Sequence, residues 1–367
     1  MRPRISKEEY DIIKGIREAA KEHGVGLEHI SSGWLKSKNA SVRFKNPLFK
    51  DKEGADFTIL EELKTALSKI KVKKLDLSKL KPTSNSPNIL RVIISDVHIG
   101  MTPDKEGFAM YGGVWGEKAL QDRLMSILAS VKKHYKGHRE IHIIDLGDYM
   151  DGWDGQTVRK GHNLPQNMSN PLAFKVGVDF KISLHKSIFD ITGVIPTSYN
   201  VVNDNHSGDF GECVNIAYQN VIKGLFDSDK YVKISKRFMS HYIVGKHCFI
   251  LTHGKDSKNL KFGFKPYLDE KQVNKVKLYI SENKLDDYFI TFMKGDTHVQ
   301  LFDYSQTFNY FNYPALSPSS DWVQTNFQKG RSGFVMDEFD ENLKQIRPLS
   351  FEFVWGKKPR RSQDGFC

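Results

Sequence analysis

Cysteine is almost absent from this chain: Cys213, Cys248 and Cys367 are the only three in 367 residues, and no two form a C-x-x-C pair. An odd, widely spaced set excludes a disulfide-stapled scaffold and offers no thiolate cage for a structural zinc ion. Such thiols fit a reducing compartment, so a cytoplasmic location is expected. Long apolar runs are missing as well. No stretch approaches the roughly 20 residues that span a bilayer, and Met1-Arg-Pro-Arg-Ile-Ser lacks the apolar segment of a secretory signal. A membrane is therefore excluded from the expected partners. No internal repeat is visible, which sets aside solenoid architectures.

Acidic residues are in deficit, 44 against 55 basic, for a formal net charge of +11. The excess is uneven: residues 1–88 hold 19 Lys and Arg against 12 Asp and Glu. A concentrated basic arm suits a polyanionic partner, or simply a solvated surface. Within it, Ser6-Lys-Glu-Glu9 reads as a capping box. Apolar residues at Ile12, Ile13, Ile16, Ala19 and Ala20 then mark one face of a helix to about His23, and Gly24 stops it. From Trp34 to Lys45, aromatics interleave with cations, and Trp34, Lys36, Lys38, Arg43 and Lys45 form a candidate nucleic-acid surface. The same stretch equally suits a small helix-plus-hairpin packed on the rest of the protein. A second helix is expected from Thr58 to Ile70. The expected division is a small, basic, mainly helical domain over 1–70, a linker over 71–88, a catalytic domain over 89–354 and a basic tail over 355–367.

Five polar clusters carry the chemistry. Asp96 and His98 end the apolar run Ile89-Leu-Arg-Val-Ile-Ile-Ser95. Downstream lie Gly147-Asp-Tyr-Met-Asp151, Asn203-Asp-Asn-His206, Leu251-Thr-His-Gly254 and Gly295-Asp-Thr-His298. Each follows a β-rich stretch, so each is expected at a strand end, where side chains converge on one pocket. Asp, Asn and Gly at strand ends often mean only turns, but turns have no need of the histidines. Strands and helices alternate from Ile89 onward, with helices expected near Glu117–Tyr135, Leu172–Asp190 and Glu270–Glu282, and strands dominate the C-terminal part. That pattern alone allows several α/β folds.

The ordered set D-x-H, G-D-x-x-D, N-H, H-G and G-x-x-H resembles the calcineurin-like metallophosphoesterases over roughly Ile89 to His298, including their DNA-repair-nuclease-like and phage or bacterial branches. The resemblance implies an α/β fold, a two-sheet αββα sandwich with helices outside. It also implies two divalent ions. Asp96, His98, Asp148 and His298 would hold the first, with Asp148 bridging to a second held by Asn205, His253 and Asp296. Mn²⁺ is the leading ion, with Fe, Zn²⁺ and Mg²⁺ as alternatives. Such a pair activates a bridging water for in-line attack on phosphorus. His206 would be the general acid, and Asp151 would orient its imidazole.

This chain departs from the family in three places. Asp296 replaces the usual His of G-H-x-H. As a ligand it would lower the formal charge of a two-ion site by one unit, favouring diesters over dianionic monoesters; otherwise the second site would be weak. Asp204 replaces the usual glycine before Asn205-His206, where Asp is expected to tolerate glycine-like backbone angles, and Ser207 replaces the following acid. Gly152-Trp153 stands where protein phosphatases carry Arg-Gly, which removes a bidentate phosphate clamp. Trp153 suits packing or stacking on a base. The expected function is a two-metal phosphodiesterase acting on nucleic acid, DNA first. The alternatives are a small-molecule phosphoesterase, such as a nucleotide or cyclic-nucleotide hydrolase, and a nucleic-acid-binding protein with a decayed site.

Overall fold

A computed structural model describes residues 32–36, 41–45, 74–81, 84–103, 114–159, 164–263, 265–320 and 332–353, with the single residues 14, 17, 21 and 323. The chain divides into two compact units, Met1–Leu63 and Lys64–Cys367. In the first, β1 (Ser32–Lys36) and β2 (Ser41–Lys45) form an antiparallel hairpin with Trp34 opposite Arg43. The aromatic-cationic stretch is thus a hairpin; Lys38 lies outside the described residues. Residues 14, 17 and 21 of the expected first helix are helical. The remainder of that helix, the helix expected from Thr58 to Ile70 and the tail 355–367 lie outside the described residues.

The second unit is built on two sheets. The six-stranded sheet has the order β13-β12-β3-β4-β5-β6, from Ile346–Glu352, Gly333–Asp340, Asn88–Ile94, Glu140–Asp145, Thr197–Val201 and Val232–Ser235. Its β3, β4, β5 and β6 run parallel, and β12 and β13 close one edge in antiparallel register. The five-stranded sheet has the order β10-β11-β9-β8-β7, from Leu301–Asp303, Asn309–Asn312, Phe289–Lys294, His247–Thr252 and Ser240–Val244. Here β8, β9 and β11 are parallel. Helices α1 (Glu117–His134), α2 (Asn170–Thr192) and α3 (Gly208–Phe226) connect the first sheet's parallel strands, and α4 (Glu270–Glu282) lies between β8 and β9. Two sheets flanked by helices is the sandwich that the resemblance implied. Among the described residues, no helix is long and apolar enough to cross a membrane.

Strand β3 shows why its sequence is apolar almost throughout. Alternate residues of a strand face opposite sides. Leu90, Val92 and Ile94 face a cluster with Leu120, Ile127 and Val131 of α1 and Val176, Phe180 and Leu184 of α2. Ile89 and Ile93 face the other sheet, meeting Phe249, Leu251 and Met293. A strand covered on both sides needs no polar face. Arg91 is the exception on the inner side. Its guanidinium is fully buried, holds Asp337 through two bonds of 2.6 Å and lies 3.6 Å over the Phe249 ring. Pairing and stacking satisfy a charge that would otherwise be prohibitive there.

The expected linker is partly docked. The Leu75 N–H donates to the Leu225 carbonyl and the Lys81 N–H to the Gly193 carbonyl, each at 3.0 Å. Lys79 pairs with Asp190, and Leu75 packs beside Phe226 and Val232. Residues 74–81 are therefore a strap across the C-terminal ends of α2 and α3, because Leu75 supplies an apolar anchor that a free linker would not need.

Candidate metal centre

The five clusters meet at the C-terminal ends of parallel strands, the edge where open α/β sheets place their ligands. Asp96 and His98 follow β3, Asp148 and Asp151 follow β4, and Asn205 and His206 follow β5 and open α3. His253 follows β8, and Asp296 and His298 follow β9. Past the strand ends the first two loops continue as a ladder. The Asp96 N–H donates to the Gly147 carbonyl, the His98 N–H to that of Asp148, and the Asp151 N–H to that of Ile99, at 2.9–3.0 Å. Five site residues hold left-handed backbone: Asp96, His98, Asp148, Asp296 and His298, with φ between 46° and 70°. Non-glycine residues held this way cost on the order of 1–3 kcal/mol each and gather at functional sites. Two glycines allow the loops to close. A Cβ on Gly147 would lie 3.0 Å from the His253 Cβ, and one on Gly295 only 2.2 Å from the Ser95 Oγ.

The donor atoms converge. Among the described residues, three overlapping groups have donor atoms all within 4.8 Å of one another: Asp96, His98 and His298; His98, Asp148 and His206; Asp96, Asp148 and His253. Asp148 Oδ2 is the hub, 3.0 Å from His253 Nε2, 3.9 Å from His98 Nε2 and 4.0 Å from His206 Nε2. His298 Nε2 lies 3.2 Å from Asp96 Oδ1. The tautomers follow from the outer partners. His253 Nδ1 meets the Leu146 carbonyl at 3.0 Å, and His98 Nδ1 meets Asp151 Oδ1 at 3.0 Å. Carbonyls and carboxylates only accept, so in the neutral rings Nδ1 carries the proton and Nε2 presents a lone pair to the pocket. Asn205 Oδ1 and Asp296 Oδ2 are buried without a hydrogen-bond partner, while Asp96 Oδ1 and His253 Nε2 face His298 and Asp148 across the pocket. The clustered carboxylate and imidazole donors are of hard and borderline type and fit divalent cations.

Asp151 is shared more widely than expected. Besides its bond to His98, its Oδ1 lies 3.3 Å from His206 Nδ1, so it orients both imidazoles. Burial opposes the charged form of His206, but Asp148 and Asp151 outweigh it and lift that imidazole to about 9. His253 is lifted to about 10 in the same way, against burial and chiefly by Asp148. Burial would raise the Asp96 and Asp148 carboxyls, yet the imidazoles around them hold both below the usual carboxylate range. The field that draws protons onto these rings would equally draw a divalent cation.

Asp204 does not mimic a glycine, since it is absent from the left-handed residues. It is there for its carboxylate. Oδ2 accepts the Asp148 N–H at 2.9 Å, while Oδ1 accepts the N–H groups of His206 and Ser207 at 3.2 and 2.6 Å. Burial and the nearby Asp148 push this carboxyl up to about 7. Ser207 Oγ accepts the Met150 N–H at 3.0 Å, clamping the Asp148 loop to the start of α3. The Asp204 carboxylate and the Ser207 hydroxyl thus both brace the Asp148 loop.

Asp296 corrects the charge expectation. Its Oδ1 lies 2.7 Å from Lys255 Nζ, with both side chains less than a tenth exposed. It joins none of the three clustered groups and stands 3.9 Å from His253 Nε2. An ammonium therefore lies beside the extra carboxylate, a partner that the charge expectation did not include. Sequence reasoning passed over Lys255, whose place directly after His253-Gly254 was the available signal. Trp153 is 53% exposed and meets Phe210 edge-on at 4.9 Å, leaving a face open at the rim.

No family model and no curated protein matches the chain. Several solved structures are similar to it at low identity. An archaeal phosphodiesterase shares 11% identity over 71% of this chain and 99% of its own, with a TM-score of 0.36. Vps29 from Entamoeba histolytica, complexed with zinc, shares 10% over 72% and 98%, with a TM-score of 0.30. YfcE, a phosphoesterase from E. coli, shares 14% over 71% and 98%, with a TM-score of 0.31. At this distance the function has to be read from the side chains.

Proposed function

We propose that this protein is a metal-dependent phosphoesterase. The observation that carries the reading is the convergence of buried donor atoms from Asp96, His98, Asp148, His206, His253 and His298, all held in overlapping groups within 4.8 Å. Asp96, His98, Asp148 and His298 would hold one divalent ion, and Asp148, Asn205, His253 and Asp296 a second. When bound, such ions supply an activated water and neutralise phosphate charge. The chain's own part is positioning and proton transfer. The His206 side chain is 20% exposed, against 7% or less for the carboxylates and imidazoles packed around it. It is the one best able to reach a substrate, and Asp151 holds its Nδ1 side so that Nε2 delivers the proton to the leaving oxygen. A decayed, purely binding site is disfavoured, because orphaned buried donors are costly to keep without a function.

Nucleic-acid phosphodiesters, DNA first, are the leading substrate class. The support is the basic excess over residues 1–88 and the glycine that stands at position 152 in place of the phosphatase arginine. The Asp296–Lys255 pair favours a second reading, small phosphoesters, because it removes the charge penalty against a dianion. The test is incubation with Mn²⁺ of bis-p-nitrophenyl phosphate, p-nitrophenyl phosphate and end-labelled single- and double-stranded DNA and RNA. Hydrolysis abolished by chelator and restored by Mn²⁺ is expected, with polynucleotide cleavage marking the first substrate class. No turnover of any substrate in metal-replete protein would sink the enzyme reading.

A further inference from the structure

Asp296 and Lys255 come from neighbouring strand ends. β8 ends at Thr252 and β9 at Lys294, the two strands pair in parallel, and the loops beyond them carry the two residues. Those loops run in close contact. A Cβ on Gly254 would lie 3.2 Å from the Asp296 Cβ, and the Gly254 N–H is anchored on Thr252 Oγ1 at 3.1 Å. Lys294 is a second nearby ammonium; it donates to the Gly295 carbonyl at 3.0 Å and also interacts electrostatically with Asp296, whereas Lys255 touches the carboxylate directly. The Asp296 carboxylate therefore has one oxygen on Lys255 Nζ at 2.7 Å and one, Oδ2, buried without a partner.

We propose that Asp296 and Lys255 act as one unit in place of a neutral imidazole. The ammonium takes Oδ1 and cancels the carboxylate's charge, which leaves Oδ2 as the single oxygen offered to the metal centre. Lys255 is thus a positioning residue and sets the charge that a phosphate meets. An imidazole offers one donor atom and no charge, and the pair reproduces both properties. The electrostatics are strong here because both side chains are nearly dry. This inference rests on the proposed metal-dependent site.

The test is a double-mutant cycle on the full-length chain, read by calorimetric titration with Mn²⁺ alone and then with inorganic phosphate on the Mn²⁺-loaded protein. Lys255→Met leaves an uncompensated carboxylate, so Mn²⁺ should bind tighter and phosphate weaker. Asp296→His takes away the carboxylate that Lys255 faces, so Mn²⁺ should bind weaker and phosphate tighter. The double variant should return towards wild type for both ligands, because the two opposite charge changes cancel. Lys255→Arg keeps the charge and should hold both affinities near wild type. If Asp296→His does not fold, a shifted Lys255→Met beside an unshifted Lys255→Arg still carries the proposal, and equal behaviour of the two overturns it. Single-variant shifts of the same sign, or no shift of either affinity in Lys255→Met, overturn the pair alone. A wild-type protein that binds no Mn²⁺ brings down the proposed function and the pair together.

Discussion

His206 and Asp148 are the side chains whose separate loss says most about the chemistry. His206→Gln should keep metal content and substrate affinity while the rate falls by on the order of 10²–10⁴, the range for a lost general acid. The loss should shrink with p-nitrophenolate as leaving group, which needs no protonation. Equal losses on good and poor leaving groups would mark His206 as a phosphate-positioning residue. Asp148→Asn should lower metal content and turnover together, because its Oδ2 is the atom nearest to His253, His98 and His206 at once. A metal-replete Asp148→Asn protein with full activity would contradict the hub role. Away from the site, Arg91→Met should destabilise by about 3–5 kcal/mol, because Asp337 would remain buried and unpaired. Replacing both by apolar residues should recover most of that in denaturant unfolding.

Helices α2 and α3 hold the loops of the site from behind, and their contact contains a buried histidine. His185 Nδ1 lies 2.6 Å from the Tyr218 hydroxyl, and burial pushes the imidazole down to about 3. The unfolded state, with an ordinary value near 6.5, therefore binds more protons between the two values. The stability from keeping His185 neutral is fully present above about 6.5 and is lost as pH falls towards 3. Wild type should lose more stability than His185→Gln between pH 7 and pH 4.5 in urea unfolding. Parallel pH profiles would show that the α2–α3 contact takes up the proton without cost. The same two helices explain a buried lysine. Lys181 of α2 donates to Asp145, Asn200 and Asn215 at 2.5–2.7 Å, tying α2 and α3 to the ends of β4 and β5 where the site loops begin.

Across the whole chain, every proposed ligand lies in the second compact unit. A chain beginning at Lys64 should fold and keep hydrolysis of small diesters, whereas one beginning at Asn88 should be less stable without the bonds and packing of Leu75 and Lys81. If the first unit holds nucleic acid, the Lys64 chain should bind DNA more weakly. Its salt dependence should be shallower, by about 0.7–0.9 of log–log slope for each phosphate it no longer neutralises. Joint substitution of Lys36, Lys38, Arg43 and Lys45 should reproduce part of that change. Unchanged DNA affinity in the shortened protein would move the substrate assignment to small phosphoesters.

What this sequence determines by itself is local. Apolar runs ending in Asp, Asn and His place strands and the polar clusters at their ends, and helix α4 falls at its expected bounds because Asp269 and Gln272 form a local capping box. The clusters include Asp96, His98, Asp148, His206, His253 and His298, whose donor atoms lie in overlapping groups among the described residues. Pairings between distant residues were decided only by tertiary structure. Arg91 interrupts an apolar run for a reason found 246 residues away at Asp337. Asp204 looks like a tolerated replacement for glycine until the fold shows its carboxylate joining the Asp148 loop to the start of α3. Asp296 looks like added negative charge until the fold brings Lys255 beside it. Periodicity and turn chemistry act between near neighbours along the chain. The electrostatic environment of a buried group is set by whatever the fold brings within a few ångströms of it, and no spacing along the sequence records that distance.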